Sequence, residues 1–325
     1  MKLTLAILSI VCYLSCHILI EAALQVGFYN DRCSCAESVI REEVTKAFFE
    51  NKGIAPGIIR LQFHDCFVRG CDGSVFIDST PDNRAEKDGL ANGITIRGFE
   101  VIDNAKARLE DVCKGIVSCA DILAIAARDS VVLTGGLHWN VPTGRRDGRI
   151  SRASETVDIP GPFDNLDQIT RSFENKGLTQ EDMVALLGSH TIGHSHCFSF
   201  SRRLYNFNNV MGQDPNLNPF YAEYLKQQCP RDLQGSLKES TVVMNQTPYV
   251  MDSSYYTNLF KNGGLFVSDQ ELLDKPRTAQ QSAYYAVNDY AWKVDFVRAM
   301  IKLSQIDVLT GSNGEIRANC RVINP

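Results

Sequence analysis

RLQFHDCFVRGCDGS, residues 60–74, crowds a histidine beside an aspartate, two cysteines five apart, and Asp and Ser oxygens into one short run. The segment GIIRLQFHDCF (57–67) has helix-like spacing, so Arg60 and His64 stand at i and i+4 on one face, about 5–6 Å apart at Cβ. Phe63 adjoins them, and that face therefore presents a cation, a titratable base and an aromatic wall. Asp65 is turned roughly 100° away along the helix. That rules out a His–Asp relay within the helix and sends the carboxylate toward the following loop. There Asp72 and Ser74 offer oxygens, and Cys66 and Cys71 are spaced to close the loop into a small ring. Carboxylates, a hydroxyl and turn carbonyls make an all-oxygen set, which suits Ca²⁺ rather than Zn²⁺. An Asp-capped turn stapled by a disulfide accounts for the same residues without an ion.

A second histidine group, GSHTIGHSH (188–196), holds His190, His194 and His196. Two of them in H-x₃-H spacing read as a zinc site on one helical face. No nearby carboxylate serves as a general base, however, and Gly193 weakens the helix that would align the pair. The other reading is one functional histidine, His190, at a helix end. Spacing alone leaves both open.

The chain has 325 residues and a formal net charge of −5, with a sequence pI near 5.7. It lacks basic runs, so nucleic acid is not an expected partner. MKLTLAILSIVCYLSCHILIEAA (1–23) has a basic start, an apolar stretch and a small-residue end, and reads as a secretory signal cut near Ala22–Ala23. As a membrane anchor it is short and interrupted by Ser9, Ser15, Cys16 and His17. The expectation is a secreted protein without a membrane span, with residues 24–325 as one large domain in two halves. Two of the eleven cysteines, Cys12 and Cys16, leave with the signal. The nine that remain read as disulfides with one thiol over. Their scatter does not match the close pairs of a zinc cluster.

Helical patterns dominate the rest: AESVIREEVTKAFFE (36–50), SCADILAIAARDSVVLTGG (118–136), LTQEDMVALLGSH (178–190) and NPFYAEYLKQQC (218–229), then a long one over roughly 277–305. Ser118, Thr179 with Asp182, and Pro219 stand where caps and first turns want them. Strand patterns are short: 138–147 and 264–270 each predict a small hairpin edge. The fold class is mainly α, with little β.

Nine segments in register resemble the secreted plant (class III) haem peroxidases over essentially all of 24–325: LQVGFY (24–29), RLQFHDCFVRGCDGS, AEKDGLAN (85–92), RGFEVID (97–103), VSCADILAIAARDSV, VPTGRRDG, LLGSHTIGHSHC, GLFVSDQEL and GEIRANCRVIN. The resemblance implies a haem peroxidase fold of about ten or more helices, with one haem b held between a distal and a proximal half. It sets the zinc reading aside.

By that resemblance His190 is the axial ligand of the haem iron, and Asp269 accepts a hydrogen bond from its imidazole, making it a stronger donor. On the distal side His64 is the acid–base residue and Arg60 the charge stabiliser. Asn92 orients His64, and Phe63 walls the pocket. The distal calcium set implied is Asp65, Val68 and Gly70 (carbonyls), Asp72 and Ser74, with Glu86 linking it to the pocket. The proximal set is Thr191, Thr247, Val250 (carbonyl) and Asp252. A family aspartate is missing there: Met244 holds its spacing, with the neutral Asn245 beside it, so this second calcium is expected to bind more weakly. Asn245 also opens the only N-x-S/T sequon and is expected to stay unglycosylated. Pro160 and Phe163, with Leu90, are implied contacts for small phenolic donors at the haem edge. Implied disulfides are Cys33–Cys113, Cys66–Cys71, Cys119–Cys320 and Cys197–Cys229, which leaves Cys35 free or in competition with Cys33.

The chain runs only five residues past Cys320, and the expected address is extracellular or the cell wall. The expected function is a monomeric peroxidase reducing hydrogen peroxide with phenolic donors. An alternative from another class is a catalytically silent, calcium-stabilised wall-binding relative; a zinc hydrolase is a third. Haem colour and stoichiometric iron or zinc tell these apart.

Overall fold

A computed structural model describes residues 23–210, 212–231 and 240–325 of the chain. The signal expected over 1–23 lies outside these residues, apart from Ala23. Twelve α-helices are described: α1 (Ala36–Glu50), α2 (Ile54–Val68), α3 (Phe99–Val112), α4 (Cys119–Leu133), α5 (Leu166–Asn175), α6 (Gln180–Leu187), α7 (Ser201–Tyr205), α8 (Pro219–Gln228), α9 (Ser254–Leu259), α10 (Val267–Gln270), α11 (Pro276–Val287) and α12 (Asp289–Leu303). None is long and apolar enough to cross a membrane.

α4 is the axis of the first half. Its Ala, Ile, Leu and Val residues dominate, and every residue from Cys119 to Val131 is buried, its few polar ones included. A helix buried on every side must be covered on every side, and α1, α2 and α3 pack on it. Its start is fixed by Ser118, whose hydroxyl accepts from Asp121 N at 3.1 Å. Its end is turned by Gly135, whose φ of 91° a side-chain-bearing residue would adopt only at a cost. Inside the α4 packing, Asp121 takes hydrogen bonds from the Tyr29 hydroxyl at 2.6 Å and from Arg145 Nη1 at 2.7 Å. A buried carboxylate needs such partners to avoid an uncompensated charge.

The second half is built on α6 and α12. Thr179 and Asp182 form a reciprocal capping box at the start of α6. Trp292 of α12, fully buried, donates Nε1 to Ala185 O at 3.1 Å and packs its ring against Tyr256 and Phe296. A satellite core of Cys197, Phe200, Leu204, Leu217, Leu225 and Leu265 lies under the 197–265 region. Four disulfides are formed, Cys33–Cys113, Cys66–Cys71, Cys119–Cys320 and Cys197–Cys229. The third ties the start of α4 to the C-terminal tail across 201 residues.

The strand expectations fail. Residues 138–147 form no strand and make only isolated bridges, Thr143 to Gln25, Arg146 to Leu309 and Asp147 to Glu315. Their partners come from remote segments, so no hairpin forms. Within 264–270 the chain turns into the short helix α10, because Asp269 Oδ2 accepts from Phe266 N at 2.9 Å and caps it. The described sheet is instead an antiparallel pair, His194–His196 with Thr241–Val243. The single long pattern over 277–305 divides into α11 and α12, which meet at Asn288, whose φ of −132° and ψ of 71° lie outside the helical region.

Candidate active site

α2 carries Arg60, Phe63 and His64, and the geometry fixes the protonation of the histidine. Arg60 Nε donates to His64 Nε2 at 3.0 Å. Arginine cannot accept, so Nε2 holds a lone pair and Nδ1 holds the proton, donated to Asn92 Oδ1. The amide of Asn92 is oriented in turn, since its Nδ2 donates to Glu86 O at 2.7 Å. Burial first, and the Arg60 charge second, push the His64 pKa down to about 3. The imidazole is therefore neutral and basic at Nε2. Burial also lowers Arg60 to about 10, still cationic at neutral pH. The guanidinium is held by Thr95 O at 3.1 Å and Ala91 O at 3.3 Å. Arg60 is exposed beside the buried His64, and the space in front of this pair is where a cofactor would sit. Phe63 is half-buried and stacks with Phe67 and Phe173.

His190 stands in the tight turn after α6. The turn has no spare room, because a Cβ on Gly188 would come within 2.4 Å of Trp292 Nε1 and 2.5 Å of the Tyr256 hydroxyl. His190 Nδ1 donates to Asp269 Oδ1 at 2.7 Å. That carboxylate also accepts from the Tyr255 hydroxyl at 3.1 Å, a partner nothing in the local spacing announces. With Nδ1 committed, Nε2 is the nitrogen left for a metal, and the ring is 32% exposed. Phe266 meets the ring edge-on with centroids 5.3 Å apart. An imidazole backed by a buried carboxylate, with its other nitrogen accessible, fits the axial ligand of a haem iron. Among the described residues no hydrogen bond joins this group to the His64 group.

Asp65 turns away from His64, as the helical geometry requires, and accepts from Gly73 N at 2.9 Å and Val75 N at 3.3 Å. Asp72 Oδ1 accepts from Ser74 N at 2.9 Å. Glu86 is fully buried, and both its carboxylate oxygens and the Ser74 hydroxyl lack a hydrogen-bond partner. Burial, followed by repulsion from Asp65 and Asp72, pushes Glu86 up to about 9. Burial and Asp72 hold Asp65 well above the ordinary carboxylate range. Three buried carboxyls, one of them with both oxygens orphaned beside an orphaned Ser74 hydroxyl, fit a hard cation with oxygen ligands. The Gly70 carbonyl accepts from Asp72 N at 2.8 Å, and Val68 O accepts from Lys176 Nζ at 3.0 Å, a contact the sequence did not suggest.

The proximal set is gathered but differently satisfied. Thr191 Oγ1 donates to Asp252 Oδ1 at 3.0 Å, and the Ser254 hydroxyl also bonds Asp252 and contacts Thr247 Oγ1 at 3.1 Å. Asn245 is buried, and its Nδ2 donates to Thr191 Oγ1 at 3.1 Å and to Ser254 Oγ. Its Oδ1 is taken by Gln246 N at 2.7 Å and Asn258 Nδ2 at 2.8 Å. This group has one carboxylate and an amide presenting its NH₂, a poorer cation set than the distal one. Val250 is exposed.

The outer residues lie on loops. Leu90 is 97% exposed and Phe163 36%, with Arg202 over the Phe163 ring at 5.5 Å; Pro160 is half-buried. The segment leading to Pro160 is fastened to the loop after α2 by Arg69, whose Nε and Nη2 each bond Glu155 at 2.6 Å.

A family profile described as Peroxidase matches residues 40–288. Peroxidase 5 of Vitis vinifera is 58% identical over 318 residues, covering 97% of this chain and 96% of its own length. Peroxidase 1 of Zea mays is 46% identical over 309 residues (94% and 84%), and Peroxidase 64 of Arabidopsis thaliana 45% over 299 (92% of each).

Proposed function

We propose, from the fact that this chain belongs to the plant (class III) haem peroxidase family and is a peroxidase, that it reduces hydrogen peroxide at the expense of small phenolic donors, with His64 as proton carrier and Arg60 as charge stabiliser. The observation that carries the assignment is the tautomer of His64, neutral with its Nε2 lone pair beside a fixed guanidinium. His190, backed by Asp269, would hold one haem b by its iron. When bound, that group supplies the electron transfer of the reaction. His64 Nε2 takes the proton from one oxygen of peroxide and returns it to the other, so that the departing oxygen leaves as water. Arg60 stabilises the negative charge that develops on that oxygen, and needs no rearrangement because two carbonyls already hold it. Asn92 keeps the imidazole in its working tautomer. Phe63 narrows the cleft against larger molecules.

Donors approach from outside, where Pro160, Phe163 and Leu90 offer apolar surface without a closed pocket. This favours a broad range of phenols. The test is haem-loaded protein given peroxide and a panel of phenolic donors. Turnover of several donors with similar efficiency is expected. A folded, haem-coloured protein that oxidises none would favour a silent, wall-binding role instead.

Two calcium ions complete the reading: one bound by Asp65, Val68, Gly70, Asp72 and Ser74 with Glu86 nearby, and a weaker one by Thr191, Thr247, Val250 and Asp252, with Asn245 beside it. The protein would act outside the cell as a monomer, without nucleic-acid or membrane partners. Because Asn245 is buried with both ends of its amide engaged, a glycan there would break this packing. Intact-mass analysis of protein from a glycosylating host is expected to show Asn245 unmodified, and a glycan on it would refute the placement.

A further inference from the structure

Cys35 is the one free cysteine among the described residues. It sits half-buried at the N-cap of α1. Its Sγ lies 3.9 Å from Sγ of Cys33, which is bonded to Cys113, and all three sulfurs lie within 4.8 Å of one another. The reaction partner of this thiol is therefore already present, as a disulfide in near contact.

We propose that Cys33, Cys35 and Cys113 form a thiol–disulfide exchange site, through which the chain interconverts between a Cys33–Cys113 and a Cys35–Cys113 bridge. The deprotonated Cys35 sulfur attacks Cys113 Sγ. The Cys35–Cys113 bond forms as the Cys33–Cys113 bond breaks, and the electron pair leaves with Cys33, which takes up a proton. One disulfide and one thiol stand on each side, so no outside oxidant or reductant enters.

The fold has little reason to prefer one bridge strongly. Cys33 and Cys35 belong to the same turn into α1, anchored by Cys33 N to Tyr29 O at 2.8 Å and Val39 N to Cys35 O at 3.0 Å. Cys113 is the C-cap of α3. Either bridge thus fastens the start of α1 to the end of α3. The closed loop changes from a separation of 80 to 113 − 35 = 78 residues, which leaves its closure entropy nearly unchanged. What changes is access: the free thiol is half-exposed at Cys35 in one isomer and buried at Cys33 in the other. A buried free cysteine behaves as a small apolar residue, so exchange hides the free thiol with no net oxidation or reduction.

The test follows the thiol. Native protein is held at mildly alkaline pH for increasing times, quenched in acid to stop exchange, unfolded in acidic denaturant and alkylated with a maleimide. Trypsin yields CSCAESVIR (33–41) and LEDVCK (109–114), and fragmentation of the bridged pair places the label. The expected result is label on both Cys33 and Cys35, with the Cys33 share rising with time toward a plateau. Label confined to Cys35 at every time overturns the proposal. In a Cys33→Ser variant, Cys35 is expected to bridge Cys113 and leave no free thiol. Two alkylatable cysteines in the folded variant would equally overturn it. If that variant does not fold, the wild-type labelling decides alone.

Discussion

His64→Ala is expected to slow peroxide consumption by about 10²–10⁴-fold, the range spanned by loss of a positioned acid–base group. Haem binding and the fold should be retained. The size of the effect follows from the isolation of Nε2. Among the described residues, the neighbour at hydrogen-bonding distance is Arg60 Nε at 3.0 Å, a donor that cannot take a proton. Asp65, next in sequence, is committed to Gly73 N and Val75 N on the other side of the helix and cannot substitute. Among the described residues there is therefore no second base at this position. His190→Ala should fail differently, by losing or misplacing the haem, because its Nε2 is the nitrogen left free by Asp269. Stopped-flow peroxide reduction, read beside the haem absorption spectrum, separates the two. If His64→Ala lost its haem, or kept wild-type rates, the assignment of the two histidines would be wrong.

The split between His64 and Asp65 was legible because helical periodicity is rigid: neighbours in sequence lie on different faces whatever surrounds them. Capped helices were legible for the same reason, since Ser118 and Thr179 with Asp182 satisfy backbone groups within their own turn, and Pro219 at a first turn has no N–H to satisfy. The strands were not. Thr143 and Asp147 find partners at Gln25 and Glu315, and no local pattern encodes pairings set by tertiary placement. The paired strand His194–His196 carries no β-like alternation at all. In the site, the helix face of Arg60 and His64 could be read from spacing, which also offered His190 as a functional histidine at a helix end, whereas Asn92, Asp269 and the iron-ligand role of His190 entered through resemblance. Their partners lie 28 and 79 residues away. Tyr255 on Asp269 and Lys176 on Val68 O left no trace in the sequence, whereas CSC (33–35) already set Cys35 beside Cys33 as its competitor.

Removing calcium from the site proposed at Asp65, Asp72 and Glu86 should produce the largest change in stability. Without a cation, Asp65, Asp72 and Glu86 share a buried site, their mutual repulsion adding to the cost of burial. Both Glu86 oxygens and the Ser74 hydroxyl go without hydrogen bonds. Calcium at a hundred to a thousand times its dissociation constant contributes about 2.7–4.1 kcal/mol. At about 2–4 °C per kcal/mol, taken from domains of comparable size, chelation should lower the melting temperature by roughly 5–16 °C. The loss should also reach the chemistry. Glu86 O holds Asn92 Nδ2 at 2.7 Å, and Asn92 holds the His64 proton, so a relaxed Glu86 segment frees the imidazole to turn. Melting temperature and peroxide rate should therefore fall together on chelation and recover together on adding calcium. Glu86, pushed up to about 9, is protonated in the stripped protein and ionises only beside a cation, so Glu86→Gln removes one carboxyl from the loaded site and should narrow the gap between loaded and stripped melting temperatures. A stripped protein with unchanged melting temperature would mean that these carboxylates do not depend on a cation. An unchanged peroxide rate in a protein that did lose stability would instead show that the link through Asn92 does not transmit the loss.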